Sequence, residues 1–367
     1  MEGERMRIML FSLYGRSGMI HYASQLANAL AKKHDVTVLL PSYTDKGFFD
    51  KGIKLIRMDA PTSVAKTAFL SCHPWRFKRA IAQVRKAKPD VIHVLDNHPW
   101  YLLLLPWLKD IPLVVTQHDV TAHPGEFIRG KITIAVNRYL SRRAKRIVVH
   151  GEKLKKMIIQ RGVPAQKVHV LPHGDYAFFL RWARKGIKEE PATILCFGRI
   201  LHYKGLDILL EATKKLRTDF PQIKVLVAGE GDLERYRAQL DELKENVEIK
   251  DGFIAERDVA PLFQRAGIIV LPYREASQSG VVPIAWAFKK AVIVTDVGSL
   301  AEIVEHGTSG LVVPPESPSA IATAIRGLLT DAKKRKALGQ GGYRRMRAEL
   351  DWGKIATQAS KLYREVR

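Results

Sequence analysis

Thr193–Ala212, TILCFGRILHYKGLDILLEA, opens as an apolar run of strand length, breaks at Phe197-Gly198-Arg199, and resumes after Lys204-Gly205 as an amphipathic helix. A strand, a glycine turn and a helix in that order begin a parallel α/β unit. They stand in the middle of a 367-residue chain, so they mark a pattern starting again. Upstream, strand-length runs lie at Arg7–Tyr14, Val36–Pro41, Ile53–Met58, Val91–Asp96, Leu113–Asp119 and Arg146–His150. Helical periodicity falls between them, over Ile20–Lys33, Arg76–Lys86 and Arg129–Arg143. Downstream, further runs lie at Lys224–Ala228, Val247–Ile249, Ile268–Pro272, Ala291–Thr295 and Leu311–Val313, and beyond residue 317 the pattern is helical. Between the two series, residues 175–191 lapse into charged, irregular chain, the expected interdomain connection. The reading is an α/β chain of two Rossmann-like domains, residues 1–178 and 190–350, facing each other across a cleft, with a last helical segment over 351–367. Ligands of open α/β sheets bind beyond the carboxyl ends of the strands, so strand-to-helix turns are where the chemistry is expected.

Composition bounds the answer. Hydrophobic residues make up 46% and charged residues 26%, the balance of a folded chain and not of a disordered one. Cys72 and Cys196 share no C-x-x-C or zinc-type spacing with anything, which points to a reducing compartment without a disulfide framework. Met1-Glu2-Gly3-Glu4-Arg5 carries acids and leads into a strand, unlike a signal peptide. The densest apolar stretch, Tyr101–Leu108, is far short of the roughly 20 residues that span a bilayer. Any membrane contact is therefore expected from outside, with a cytoplasmic location, peripheral at the inner membrane surface. Net charge is +23, and residues 1–175 hold most of the excess, 29 Lys and Arg against 13 Asp and Glu. Such a basic face attracts anionic lipid or another polyanion.

Five turns carry candidate chemistry. Tyr14-Gly15-Arg16-Ser17-Gly18 follows the first strand, and its glycines allow backbone amides to approach a phosphate at a helix N-terminus. Gln117-His118-Asp119 ends the fifth strand, where both side chains can bond sugar hydroxyls and the histidine can move a proton. Phe197-Gly198-Arg199 with Lys204-Gly205 lets an arginine fork and a lysine point charge converge on one anion, the combination that a departing pyrophosphate needs. Pro272–Pro283 leads into an apolar helix; Ser279 is the expected N-cap, the amides around Gln278, Ser279, Gly280 and Val281 suit phosphate, and Glu275 is the one carboxylate on the turn. Such a carboxylate accepts hydrogen bonds from sugar hydroxyls and stabilises positive charge at an anomeric carbon. Asp296-Val297-Gly298-Ser299, leading to Glu302, is expected to border a nucleotide.

These motifs make the chain resemble the retaining glycosyltransferases of the GT-B architecture, in particular glycosyltransferase family 4. The resemblance spans the length and is strongest over residues 193–314, through "FGRILHYKGLDILLEA", "VLVAGEGD" and "GSLAEIVEHGTSGLVVPP". "YGRSGMIHYASQLANAL" and "TQHDVTAHPG" carry it in the first half. It implies that Arg199 and Lys204 bind the donor diphosphate, that Gly15 to Gly18 close over it, and that His118 lies beside the transferred sugar. It also implies transfer with retention, no cofactor beyond the nucleotide-sugar donor, no bound metal, and a final helix that crosses back to the first domain. One departure matters. The family pairs two glutamates eight residues apart, the second on the ribose, but Pro283 stands eight after Glu275. Aligning on "AWAFKKAVIVTD" puts Ala276 and Ile284 at the two glutamate positions, so Glu275 is a displaced counterpart.

The expected partners are a nucleotide sugar and a glycan or lipid-linked acceptor, with anionic membrane beside it. Trp75–Lys86 places Phe77, Ile81 and Val84 opposite a cationic face, the pattern of an interfacial helix or of a helix packed on a sheet. Pro99–Trp107 divides between core and membrane edge in the same way, and Arg138, Arg142, Arg143, Lys145 and Arg146 extend the positive charge. Two alternatives stand beside transfer: a nucleotide-sugar epimerase or hydrolase on the same scaffold, and a catalytically inactive polyanion-binding protein. The chain lacks a nucleic-acid-binding motif, which weighs against a nucleic-acid partner.

Overall fold

The computed structural model describes residues 4–15, 17–61, 67, 71, 74–118 and 127–367. The chain forms two compact units, one of the residues up to Gly174 with Asp351–Arg367, the other of Asp175–Leu350.

The first unit is built on seven parallel strands: β1 (Arg7–Phe11), β2 (Asp35–Pro41), β3 (Lys54–Met58), β4 (Val91–Val94), β5 (Leu113–Thr116), β6 (Arg146–Val149) and β7 (Val168–Val170). Their order across the sheet is β3-β2-β1-β4-β5-β6-β7. Helices cover both faces, so the inner strands are apolar on both sides, as Ile8, Met9, Leu10 and Phe11 of β1 are. Phe77 and Val84 of the helix Pro74–Lys86 are buried in the core on one face. The apolar stripe read as a possible membrane face thus belongs to the sheet.

On the opposite face the last helix, Trp352–Val366, packs Ile355, Ala359, Leu362 and Tyr363 with Tyr22 and Leu26 of the helix Ser17–Ala31. Asp351 caps it, accepting from the Lys354 N–H at 3.0 Å. Tyr363 is fully buried, and its hydroxyl lies 2.7 Å from His93 Nδ1 on β4. The return of the chain end is therefore specified by a polar contact as well as by packing; truncating such a buried aromatic costs about 3–5 kcal/mol.

The second unit has six parallel strands: β8 (Glu190–Phe197), β9 (Lys224–Gly229), β10 (Val247–Asp251), β11 (Ala266–Leu271), β12 (Ala291–Thr295) and β13 (Leu311–Val313). Their order is β10-β9-β8-β11-β12-β13. Most of the stretch read as a linker starts this unit: Ala177–Trp182 is a 3-10 helix, and Tyr176 and Phe179 are buried in the core. Charged neighbours such as Arg181 and Arg184 hide that apolar content from a sequence window. In both sheets the strand order reverses beside the first strand, between β1 and β4 and between β8 and β11. Those reversals open the crevices where ligands of such sheets sit.

Candidate functional site

In the second unit, Gly198 leaves the end of β8 and the 3-10 turn His202–Lys204 leads into the helix Leu206–Lys214. The Lys204 ammonium donates to the Tyr273 hydroxyl at 3.2 Å and lies 5.0 Å from the centre of that ring. A Cβ on Gly198, whose φ is +108°, would lie 3.1 Å from the same ammonium, so the lysine reaches across the glycine turn. Burial pushes the Lys204 pKa down, Tyr273 and Tyr203 push it up, and the net shift is upward, so the group is cationic at neutral pH. Arg199 is exposed and makes no ion pair or hydrogen bond among the described residues. Near the end of β8, burial pushes the Cys196 thiol up to about 11, against the lowering effect of Lys204, which argues against a thiolate nucleophile near neutral pH.

The turn after β11 is pinned to this one. The Arg274 N–H donates to Tyr203 O at 2.7 Å, and its guanidinium grips Asp207 with two bonds of 2.9 and 2.7 Å. Thr295 Oγ1 at the end of β12 donates to Tyr273 O at 2.6 Å. Gly298, at φ +52°, passes so close to Ala276 O that a Cβ there would sit 1.4 Å from it, which ties the turn after β12 to the turn after β11. Glu275 is exposed and makes no hydrogen bond or ion pair among the described residues. Gln278 Oε1 and Ser299 Oγ are buried without a hydrogen-bond partner among the described residues. The N-cap of the helix Val281–Ala287 is Gly280, one residue later than expected, while Ser279 Oγ accepts from the Val281 N–H at 3.2 Å. Glu302 lies half-buried in the short helix Leu300–Ile303. Gly198, Arg199, Lys204, Glu275, Gln278, Ser279, Gly280, Val281 and Glu302 thus belong to turns and helix starts at the carboxyl ends of β8, β11 and β12, neighbours in the sheet.

In the first unit the reversal between β1 and β4 centres on a residue that sequence reasoning passed over, Asp96. Its buried carboxylate accepts from the Tyr14 N–H at 2.9 Å, the Ser12 hydroxyl at 3.3 Å and the His98 N–H at 3.3 Å. Burial raises its pKa against those hydrogen bonds. Gly15, which follows, has its carbonyl held by Thr44 Oγ1 at 3.2 Å, and Gly18 lies exposed in the first turn of the helix Ser17–Ala31. A carboxylate two residues past the end of β4, in "VLDNHP", gives no periodic signal; its place at the reversal is what singles it out.

His118 ends the turn after β5, and both of its ring nitrogens are engaged. Nε2 lies 2.9 Å from Leu95 O, and Nδ1 lies 2.9 Å from His150 Nε2, whose own Nδ1 is 2.9 Å from Leu171 O. A carbonyl only accepts, so each ring donates one N–H outward to a backbone oxygen and turns its other nitrogen toward the neighbouring ring. His173 lies alongside, its pKa held well below the ordinary value by burial and then by His150 and His118. Tyr22 packs against all three rings, with centroids 4.8 to 5.4 Å away. His118, His150 and His173 are also the one group among the described residues whose ligand atoms converge as a metal ion requires, all within 4.8 Å. His150 and His173 come from turns after other strands, which no local pattern connects. Asp119, expected beside His118, lies outside the described residues, as does Cys72.

Two sequence families match the chain: "Glycosyl transferases group 1" over residues 191–331 and "Glycosyl transferase 4-like domain" over residues 17–174. Similar curated proteins include the phosphatidyl-myo-inositol mannosyltransferase of Mycolicibacterium smegmatis, 26% identical over 363 residues, 95% of this chain and 90% of that protein. Another is the glycogen synthase of Mycobacterium tuberculosis, 25% identical over 292 residues, 76% of this chain and 69% of that protein. Among solved structures, the sucrose-phosphate synthase of Thermosynechococcus elongatus shares the fold with a TM-score of 0.79 at 22% identity, over 98% of this chain and 99% of that one.

Proposed function

The chain belongs to the group 1 glycosyl transferases, and from that premise we propose that it moves a sugar, with retention at the anomeric carbon, from a nucleotide-sugar donor to a glycan or lipid-linked acceptor at a membrane surface. One observation carries the donor half of this reading: a lysine ammonium held on Tyr273 and against Gly198, in the turn that also carries Arg199, exposed and without an ion pair among the described residues, at the strand reversal of the second unit. Negative charge grows on the diphosphate as the glycosidic bond breaks; an ammonium already held in place lowers that barrier, and the Arg199 guanidinium is available to join it when the diphosphate binds. They also take the place of a metal, so the reading includes no cofactor and no metal. Glu275, free of other partners, accepts from sugar hydroxyls and faces the positive charge of an oxocarbenium-like transition state. The amides from Gln278 to Val281 hold the phosphates, and Glu302 borders the nucleotide. With Ala276 and Ile284 at the family's two glutamate positions, the ribose hydroxyls fall to the Gln278 amide oxygen and the Ser299 hydroxyl, buried oxygens that lack partners among the described residues.

For the first unit, the reading assigns Gly15 and Gly18 to donor binding and His118 and Asp119 to the transferred sugar. The exposed Trp75, Trp107, Leu102 and Leu103, among basic side chains of the same unit, support contact with an anionic bilayer at the cytoplasmic face. No helix among the described residues is long and apolar enough to cross a membrane. The test is a thermal-shift panel of nucleoside diphosphates and nucleotide sugars, followed by NMR of the product's anomeric proton. The reading expects one donor to raise the melting temperature and the product to keep the donor's configuration. Donor conversion without an acceptor, or an inverted product, contradicts it.

A further inference from the structure

Arg138, Arg142, Arg161 and Lys167 line one cavity of about 600 Å³ in the first unit, and no acidic side chain among the described residues lines it. One wall is the second half of the helix Phe127–Arg143; the other is Ile158 and the chain from Arg161 to Lys167 that follows the helix Glu152–Gln160. Gln117 sits between them, donating from Nε2 to Ser141 Oγ at 2.9 Å and to Asn137 O at 3.2 Å. Ile134, Ile158, Val163 and Pro164 complete the lining, and Ile134 is 50% exposed.

The charge is what needs explaining. Several arginines of this unit stand against carboxylates, Arg5 against Asp35, Arg7 against Asp90, Arg85 against Asp110 and Arg146 against Glu365, while Arg57, Arg79 and Arg364 lie singly on the surface without an ion pair among the described residues. Arg138, Arg142 and Lys167 make no ion pair among the described residues, although they share one concavity. Gathered cations without an acid repel one another unless an anion visits. Arginine forks and a lysine point charge suit phosphate oxygens, and a cavity of this volume is in the range of small-ligand sites, larger than one phosphate needs. The apolar lining beside the charges favours a ligand with a hydrocarbon part.

We propose that this cavity receives the phosphate end of the acceptor, as a diphosphate joined to an apolar chain. The assignment rests on reading the first unit as the acceptor domain. None of the residues assigned above to donor binding lines it.

The test begins from protein carrying Arg199→Ala and Lys204→Ala, which silences the expected donor-diphosphate site. Isothermal titration calorimetry is run with inorganic pyrophosphate and with geranyl diphosphate. One molecule of each binds per chain, geranyl diphosphate the more tightly, and adding Arg142→Glu with Lys167→Glu weakens both by about tenfold or more. Unchanged affinity in the charge-reversed protein, or no binding of either probe to its parent, overturns the site. Equal affinity for the two probes overturns the apolar half of the assignment. Vesicles of phosphatidylglycerol form a third arm: retention that depends on Arg142 and Lys167 without binding of either soluble probe overturns the acceptor assignment in favour of a lipid headgroup. In protein with native Arg199 and Lys204, nucleoside diphosphate binding is read separately, so failure of the cavity and failure of the donor site are told apart.

Discussion

The Lys204 ammonium and the Tyr273 ring meet twice, by a 3.2 Å hydrogen bond to the hydroxyl and by a face contact 5.0 Å from the ring centre. The two residues come from turns 69 positions apart, and the pairing holds the charge over Gly198 rather than in bulk solvent. Tyr273→Phe keeps the face contact and removes the hydrogen bond, worth about 1 kcal/mol. The expected result is a fall in kcat/KM for the donor of roughly five- to tenfold, with a melting temperature lowered by no more than about 2–4 °C. Steady-state kinetics at varied donor concentration check it; an unaltered kcat/KM means that the hydroxyl does not position the lysine.

Acid should destabilise the first unit through histidines buried as neutral rings. Burial lowers His93 to about 3 and His98 to about 4 from the ordinary 6.5. Between pH 6.5 and those values the unfolded chain binds more protons than the native one, so stability falls as pH falls and is complete above pH 6.5. Each group costs about 1.4 kcal/mol per pH unit, hence about 2 kcal/mol between pH 6.5 and 5. Urea denaturation at pH 7, 6 and 5 measures the slope. His93→Gln, which retains partners for Tyr363 and Thr116, is expected to flatten it, and a slope unchanged by that substitution contradicts the account.

Trp75 and Trp107 are 60% and 64% exposed, so replacing both with serine leaves the core intact. If they enter a bilayer, vesicle partitioning falls by roughly tenfold for each, the scale of burying one large apolar side chain. Co-sedimentation with phosphatidylglycerol vesicles reads the change, and equal retention of wild type and double variant removes the membrane contact.

Metal removal separates two chemistries. With Arg199 and Lys204 neutralising the leaving diphosphate, turnover after dialysis against EDTA is expected to equal that before it. A loss reversed by added divalent cation contradicts this, and a loss abolished together with His150→Ala traces the ion to the convergent histidines.

The fold was legible where apolar runs end at strong breakers. β12 and β13 have the boundaries that the sequence suggests, because Asp296 and Pro314 stop them. β7, Val168–Val170, went unseen because His169 interrupts its valines, whereas the equally short β13 is an unbroken apolar run. Phe178 and Phe179 read as linker because arginines and lysines follow within a few positions. The turns after β8, β11 and β12 were legible as turns because glycine and a basic residue recur at strand ends; the surroundings of Asp96, Tyr273, His150 and His173 were not, since only the packing of distant turns brings their partners to them.

The most direct measurement is turnover of Arg199→Ala and of Lys204→Ala on the nucleotide sugar that the wild-type protein uses. The account predicts that kcat drops by roughly two to three orders of magnitude in each, the scale for losing one charge-stabilising donor, while both proteins remain folded. Wild-type rates from either variant would contradict it.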